Sequence, residues 1–300
     1  MKSPSDEIFH LNGDQLIPMP SRSMREGLLG KSLEDALQTF LEKYPQIIPG
    51  KQIDPDDPPH FVLLRREMPV GGWSLDHLYV DQRAILTLVE TKLFQNPESR
   101  REVIGQIIEY AAKAIESWAG GAARQKAMEF WSSQNPQRDI DELLQEEFGV
   151  EAELDTEEFW RNVEENLKKG KIRLIIAADE LRPEIRRMLE YLNREMQNAE
   201  VLGLELKCYG KDSASLVLVP RLIGQTQSTI DKKGTSETSV KWTKEKLKAA
   251  YSDIEDVTLG SGLEKILDWA ISNVAFLESK TIFPSFGLLG KANIRMGVSG

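Results

Sequence analysis

Cysteine is all but missing from this chain of 300 residues, where Cys208 stands alone. A single thiol cannot form an internal disulfide, which excludes a disulfide-stapled secreted domain and fits a reducing cytoplasm. Cys208 lies in a strand-like run and reads as a small buried apolar residue rather than a nucleophile. No run of about 18 apolar residues occurs, and the first residues carry no secretory leader pattern. A soluble, cytoplasmic protein without a membrane partner is therefore the expectation. Basic residues are also in deficit: Lys and Arg number 38 against 48 Asp and Glu, for a net charge of −10 and a pI near 5.1. That balance argues against a surface coated with phosphate-binding charge, although a confined positive groove needs only a few local cations. Missing too are a Walker phosphate loop, a dinucleotide fingerprint, an HExxH helix and a CxxC pair, which removes the common nucleotide-binding and zinc chemistries.

What is present is 40% apolar and 29% charged, enough for one large domain or two small ones. Residues 1–24 are polar and Pro-containing and read as a loose N-terminal arm. A helical pattern follows from Met24 to Tyr44, then the turn-rich YPQIIPGKQIDPDDPP, then a strand over His60–Val70. After Trp118 comes AGGAARQ, read as a linker, and a helical insertion at about 120–169. Its acidic part, about Asp139 to Glu165, holds about a dozen carboxylates against the single Arg161 and reads as solvated amphipathic helices, with a DNA mimic or docking lid as the sharper alternative. Lys171–Ala178 is a continuous apolar run, as in a strand buried on both faces. A helix opening at Pro183 and strands over Val201–Tyr209 and Leu216–Arg221 complete an expected crossover in a mixed sheet flanked by helices. Gln225–Thr238 reads as a linker (225–240). Residues 241–300 read as a small C-terminal helical module, compatible with a winged-helix-like unit.

Function points to one stretch, GGWSLDHLYVDQRAILTLVETKLFQNPESRREVIGQIIEYAAK. It reads as strand (Trp73–Val80), hairpin turn (Asp81-Gln82-Arg83), strand (Ala84–Leu93) and helix (about Glu98–Trp118). Alternation puts Glu90 and Lys92 on one face with Leu86 and Leu88, so two charges end an apolar face. Burying such charges costs several kcal/mol unless they pair or bind a metal. With Asp76 brought alongside by the hairpin, two carboxylates and a Lys would converge. Mg²⁺ is typically held by one or two carboxylates, the remaining positions going to water and phosphate oxygens. His77, beside Asp76, falls on the opposite face and reads as structural. Arg65, Arg66, Arg100, Arg101, Tyr110 and Lys113 are the candidate nucleic-acid contacts. Trp118 and Trp131 read as packing residues, with base stacking the sharper alternative.

Asp76 on one strand and Glu90-Thr91-Lys92 on the next resemble the PD-(D/E)xK nuclease superfamily, of restriction-endonuclease-like α/β fold, and the segment from FWRNVEENLKKGKIRLIIAADE through EIRRMLEYLNREM to VLGLELKCY resembles the second half of uncharacterised bacterial proteins of the same superfamily. The likeness spans roughly Gly30 to Gly224, with the acidic helices as an insertion. Leu75 stands where the pattern often has Pro, and the acid-x-Lys tripeptide also occurs at Glu205-Leu206-Lys207, Asp231-Lys232-Lys233 and Glu278-Ser279-Lys280, the first without a strand-borne Asp before it in a hairpin. The resemblance implies Asp76 and Glu90 as ligands of Mg²⁺ or Mn²⁺, with Lys92 serving the attacking water. It also implies Glu34 as an assisting carboxylate on the first helix and Gln106 on the GQIIEYAAK helix facing the site. Hydrolysis of nucleic acid, DNA favoured, is the implied activity. A catalytically silent binding or regulatory protein of a defence or mobile-element system is the rival, and a homodimer is compatible with either.

Overall fold

The computed structural model describes residues 8–22, 33–92, 97–134, 139–149, 154–212 and 215–224, together with Lys265. The chain divides into two units, Met1–Lys233 and Gly234–Gly300, and the elements below all belong to the first. The linker and the C-terminal module expected from the sequence lie outside the described residues, Lys265 excepted.

The unit is mixed α/β, built on a seven-stranded mixed sheet. Strands β4 (Phe61–Val70), β5 (Trp73–Asp81) and β6 (Leu86–Thr91) form an antiparallel meander. Strand β7 (Ile172–Ala178) lies parallel to β6, and β8 (Glu200–Asp212) lies parallel to β7. Strand β9 (Ser215–Ile223) returns antiparallel to β8, whose far end also pairs with the short β3 (Ser21–Arg22). Every position of β7 is buried, as its unbroken apolar run requires of a central parallel strand.

The period-2 alternation sorts side chains onto two faces. Val62, Leu78, Leu86, Leu88, Leu174 and Ile176 enter one core with residues of α3 (Pro97–Ser117), α4 (Ala122–Gln134), α5 (Ile140–Phe148), α6 (Thr156–Lys168) and α7 (Pro183–Glu195). Leu63, Tyr79, Val89, Ile175, Leu202 and Leu204 enter the other, with Leu37 and Leu41 of α1 (Leu33–Lys43), Ile48 beyond a 3₁₀ turn (Pro45–Ile47), and Ile53 of α2 (Gly50–Ile53). The acidic segment is helical because its apolar residues recur on one face: Phe159, Trp160, Val163 and Leu167 of α6 are buried. Two of its carboxylates serve the helix starts. Asp139 caps α5 by accepting from the Asp141 N–H, and Asp155 caps α6 by accepting from the Glu158 N–H.

Two expectations are corrected. Residues 8–19, read as part of a loose arm, form an antiparallel hairpin of β1 (Ile8–Asn12) and β2 (Gln15–Met19), turning at Gly13 with φ +58°. Strand β6 starts at Leu86 rather than Ala84. Ala84 has φ +57°, and Asp81 Oδ1 accepts the N–H groups of Arg83 and Ile85, so the turn is longer than the sequence suggests.

At one end of the sheet Arg173 of β7, fully buried, donates to Asp81 Oδ2 at 3.1 Å, Thr87 Oγ1 at 3.1 Å and Glu200 Oε2 at 2.6 Å. A guanidinium in the interior is tolerable only with such partners, and these tie β5, β6, β7 and β8 together.

Candidate active site

The site forms where the meander breaks its own regularity. The β5–β6 ladder runs from Val80↔Leu86 to His77↔Val89 and stops. One residue further on, Asp76 Oδ2 accepts the Thr91 N–H at 2.7 Å and the Thr91 hydroxyl at 2.5 Å, so a side chain replaces the missing ladder bond. Alternation also slips here. Leu78 and Leu75 both enter the core on the α3 side, whereas His77 and Tyr79 bond carbonyls of Gln38 and Leu41 on α1. On the neighbouring strand Glu67 adopts φ +52°, a left-handed conformation that non-glycine residues rarely take. Such irregularities re-aim a side chain, and here the side chain is Asp76.

Glu90 lies at the C-terminal end of β6, level with Ile176 of β7, and is 2% exposed. Its Oε1 is 3.7 Å from Lys92 Nζ, while Oε2 is buried without a hydrogen-bond partner among the described residues. Burial pushes the Glu90 carboxyl up to about 8, the Asp76 charge adds to the rise, and Lys92 and the Asp76 backbone N–H oppose it. Burial likewise raises Asp76, against the two bonds from Thr91. Glu34 on α1 is raised by burial, is drawn down by Lys92 and feels Asp76, so a third carboxylate shares the same field. The Lys92 backbone N–H donates to Ala177 O at 2.9 Å, which continues the parallel ladder and leaves only the side chain to face the site.

Asp76, Glu90, Lys92 and Glu34 therefore share one electrostatic field. Sequence reasoning missed Gln38. That side chain donates to Asp76 Oδ1 at 2.9 Å and accepts from Arg66 Nη2 at 3.1 Å. The signal was available, since Gln38 lies four residues after Glu34 on the same face of α1. Thr91, the middle residue of the Glu-x-Lys tripeptide, was missed as well.

Other candidates fall elsewhere. Gln106 donates to the Tyr110 hydroxyl at 2.6 Å, and that hydroxyl donates to Ser74 O at 3.0 Å, so Gln106 meets the site through Tyr110. Tyr110 itself is buried, its hydroxyl raised by burial and by the charges of Glu90 and Asp76, which puts it inside the protein rather than at a nucleic-acid surface. Arg66 is bonded to Glu42 at 2.8 Å and Asp35 at 3.2 Å, and Arg65 donates to Lys126 O at 3.2 Å. Both serve internal packing. The side chains of Arg100 and Arg101 lie outside the described residues. Lys113 pairs with Glu109 and lies over the Trp73 ring. Trp118 and Trp131 donate to Pro69 O at 2.9 Å and Leu63 O at 3.0 Å, which makes them packing residues. His77 is buried with Nε2 on Gln38 O, and burial depresses it to about 3, so it stays neutral. Glu205, the second acid-x-Lys acid, anchors α7 through Oε1, which accepts from Arg186 at 2.7 Å and the Leu181 N–H at 3.0 Å, while its buried Oε2 has no hydrogen-bond partner among the described residues and lies 3.9 Å from Lys207.

Among the described residues no three His, Cys, Asp or Glu side chains close on a common point. The unpartnered Glu90 Oε2 fits a cation, because a buried carboxylate with an open lone pair is costly until positive charge meets it. None of the described helices is long and apolar enough to cross a membrane. No family model, no curated protein and no solved structure matches this chain.

Proposed function

We propose that this chain is a Mg²⁺- or Mn²⁺-dependent nuclease of restriction-endonuclease-like fold that hydrolyses phosphodiester bonds, with DNA the favoured substrate by resemblance to the PD-(D/E)xK superfamily. One observation carries the reading. A buried Glu90 carboxylate with an open oxygen lies beside Asp76 and 3.7 Å from Lys92, at the C-terminal end of a parallel strand where α/β sheets commonly bind ligands. The meander, the following helix and the two parallel strands in that order also suit the fold.

In this reading Asp76 and Glu90 hold the cation, whose chemistry is to polarise a phosphoryl oxygen and offset charge on the leaving group. Lys92 hydrogen-bonds the attacking water and orients its lone pair towards phosphorus. The P–O bond to water forms as the P–O bond to the leaving sugar oxygen breaks, and the water's proton leaves to solvent or to a neighbouring phosphate oxygen. Thr91 and Gln38 fix both oxygens of Asp76, and Arg66 fixes Gln38 in turn. Such outer partners keep a ligand within the small tolerance that catalysis demands.

A silent nuclease-fold binding protein remains the second reading, favoured by the internal commitment of Arg65 and Arg66, which takes two cations away from any phosphate backbone. Calorimetric titration with Mn²⁺ separates them. The nuclease reading expects one saturable ion per chain in the wild type and none in Glu90→Gln; equal, weak binding by both proteins would favour the silent reading.

A further inference from the structure

Trp73 is 60% exposed at the start of β5, the strand between β4 and β6 that carries Asp76 three residues later. At about 3.3 Å per residue, the Trp73 backbone stands roughly 10 Å along the strand from that of Asp76. Isolated exposed apolar side chains are ordinary, so exposure alone says little. The mounting of this one says more. The β4–β5 turn is Gly71-Gly72, with φ +53° and +86°, and a Cβ on Gly71 would meet Lys113 Cδ at 2.4 Å, so the turn lies flat on α3. Helix α3 and the residue after it grip the hairpin on both sides of the ring. Ser117 Oγ accepts the Gly71 N–H at 3.0 Å, Trp118 Nε1 donates to Pro69 O at 2.9 Å, and the Tyr110 hydroxyl donates to Ser74 O at 3.0 Å. The backbone around Trp73 is thus pinned while its ring is left in water. Lys113 Nζ lies over the ring, 5.8 Å from its centroid, which adds a cation–π contact to the mounting.

We propose that Trp73 and Lys113 form a stacking platform for an unpaired nucleobase, which makes single-stranded nucleic acid the substrate class of this site; the platform stands on the hairpin geometry, while the word substrate rests on the nuclease reading above. Duplex binding draws its affinity from cations along two phosphate backbones. Here Arg65 and Arg66 are bonded within the fold, so they add no phosphate contacts beside the exposed Trp73 ring. Base–aromatic stacking tolerates any sequence because every base has a π-face, and it needs bases that are not already stacked in a duplex. Lys113, paired with Glu109, would exchange that carboxylate for the phosphate next to the stacked base.

The test is fluorescence anisotropy with a short labelled oligothymidylate and with a duplex of equal length, in EDTA so that nothing is cut. Wild type should prefer the single strand. Trp73→Ala should weaken that binding by about 10- to 100-fold, Trp73→Phe should keep most of it, and duplex binding should be unmoved. Wild type that binds neither oligomer, or prefers the duplex, overturns the platform, as does a Trp73→Ala protein that binds like wild type. Cleavage assays with Mg²⁺ and Mn²⁺ on the same strands keep the two readings apart. A platform without cleavage leaves this inference standing and removes the nuclease; cleavage indifferent to Trp73→Ala does the reverse.

Discussion

Replacing Glu90 by Gln should change the pH dependence of stability in a defined direction. The Glu90 carboxyl titrates near 8 in the fold against an ordinary 4.5, chiefly because it is buried. Between those values the native protein holds a proton that the unfolded chain has already released. Stability from this group is therefore fully present below about 4.5 and is lost as pH rises through 8. Each pH unit in the window removes about 1.4 kcal/mol, so roughly 3 kcal/mol is gone by pH 7 and about 4 to 5 once ionisation is complete. An amide in place of the carboxyl cannot ionise, fills nearly the same volume and carries no such loss. In EDTA, urea unfolding of both proteins from pH 5 to 9 should show the variant gaining on wild type at every step, levelling above about 8.5. Carboxylates that do not feel Glu90 titrate alike in both proteins and cancel in the difference. A wild-type–variant difference that stays flat across the range would refute the argument, because it would mean that Glu90 is solvated or already paired with a full positive charge.

Two further outcomes follow from other parts of the site and sheet. Arg173→Met should cost about 3 to 5 kcal/mol in urea unfolding, since it strands the fully buried Asp81 without its cation, and adding Asp81→Asn should restore much of it; a loss under about 1 kcal/mol would show that the network carries little. Gln38→Ala should weaken Mn²⁺ binding by about 10-fold, read by calorimetry, with a change in stability of about 1 kcal/mol, because it frees one oxygen of Asp76 without touching the sheet; unchanged Mn²⁺ affinity would remove Gln38 from the positioning role.

Much of the fold was legible because period and composition report it directly. The apolar run of β7 can only be a central strand, Pro183 opens α7, and the charged ends of β6 stand out against an apolar face. Less visible was the slip at Asp76. Nothing in the residue type of Glu67 announces a left-handed φ, and regular alternation applied to β5 mispairs Leu75 with His77. The arginines misled for a related reason. A strand-edge Arg looks solvated in sequence, but α1 brings Asp35, Gln38 and Glu42 over Arg66 from a distant part of the chain. Tyr110 lies at helical spacing from Gln106 and Lys113, yet it turns inward, because the helix packs its Val103, Ile107, Tyr110 and Ala114 stripe on the sheet. The N-terminal hairpin went unread because Pro18 and the polar residues interrupt its alternation.

Lys92 offers the most direct test of hydrolysis by this site. A Lys that only balances charge can be replaced by Met at modest cost, since a bound cation offsets Asp76 and Glu90 by itself, whereas a group that positions or deprotonates the attacking water contributes about 10² to 10⁴-fold. The decisive measurement is the single-turnover cleavage rate of single-stranded and duplex DNA and RNA with Mg²⁺ and Mn²⁺, wild type against Lys92→Met, at matched Mn²⁺ occupancy. The account predicts metal-dependent cleavage by the wild type that falls by at least about 100-fold in the variant, with folding and Mn²⁺ affinity nearly intact. Cleavage undiminished in Lys92→Met, or no cleavage by the wild type on any of these substrates, would contradict it.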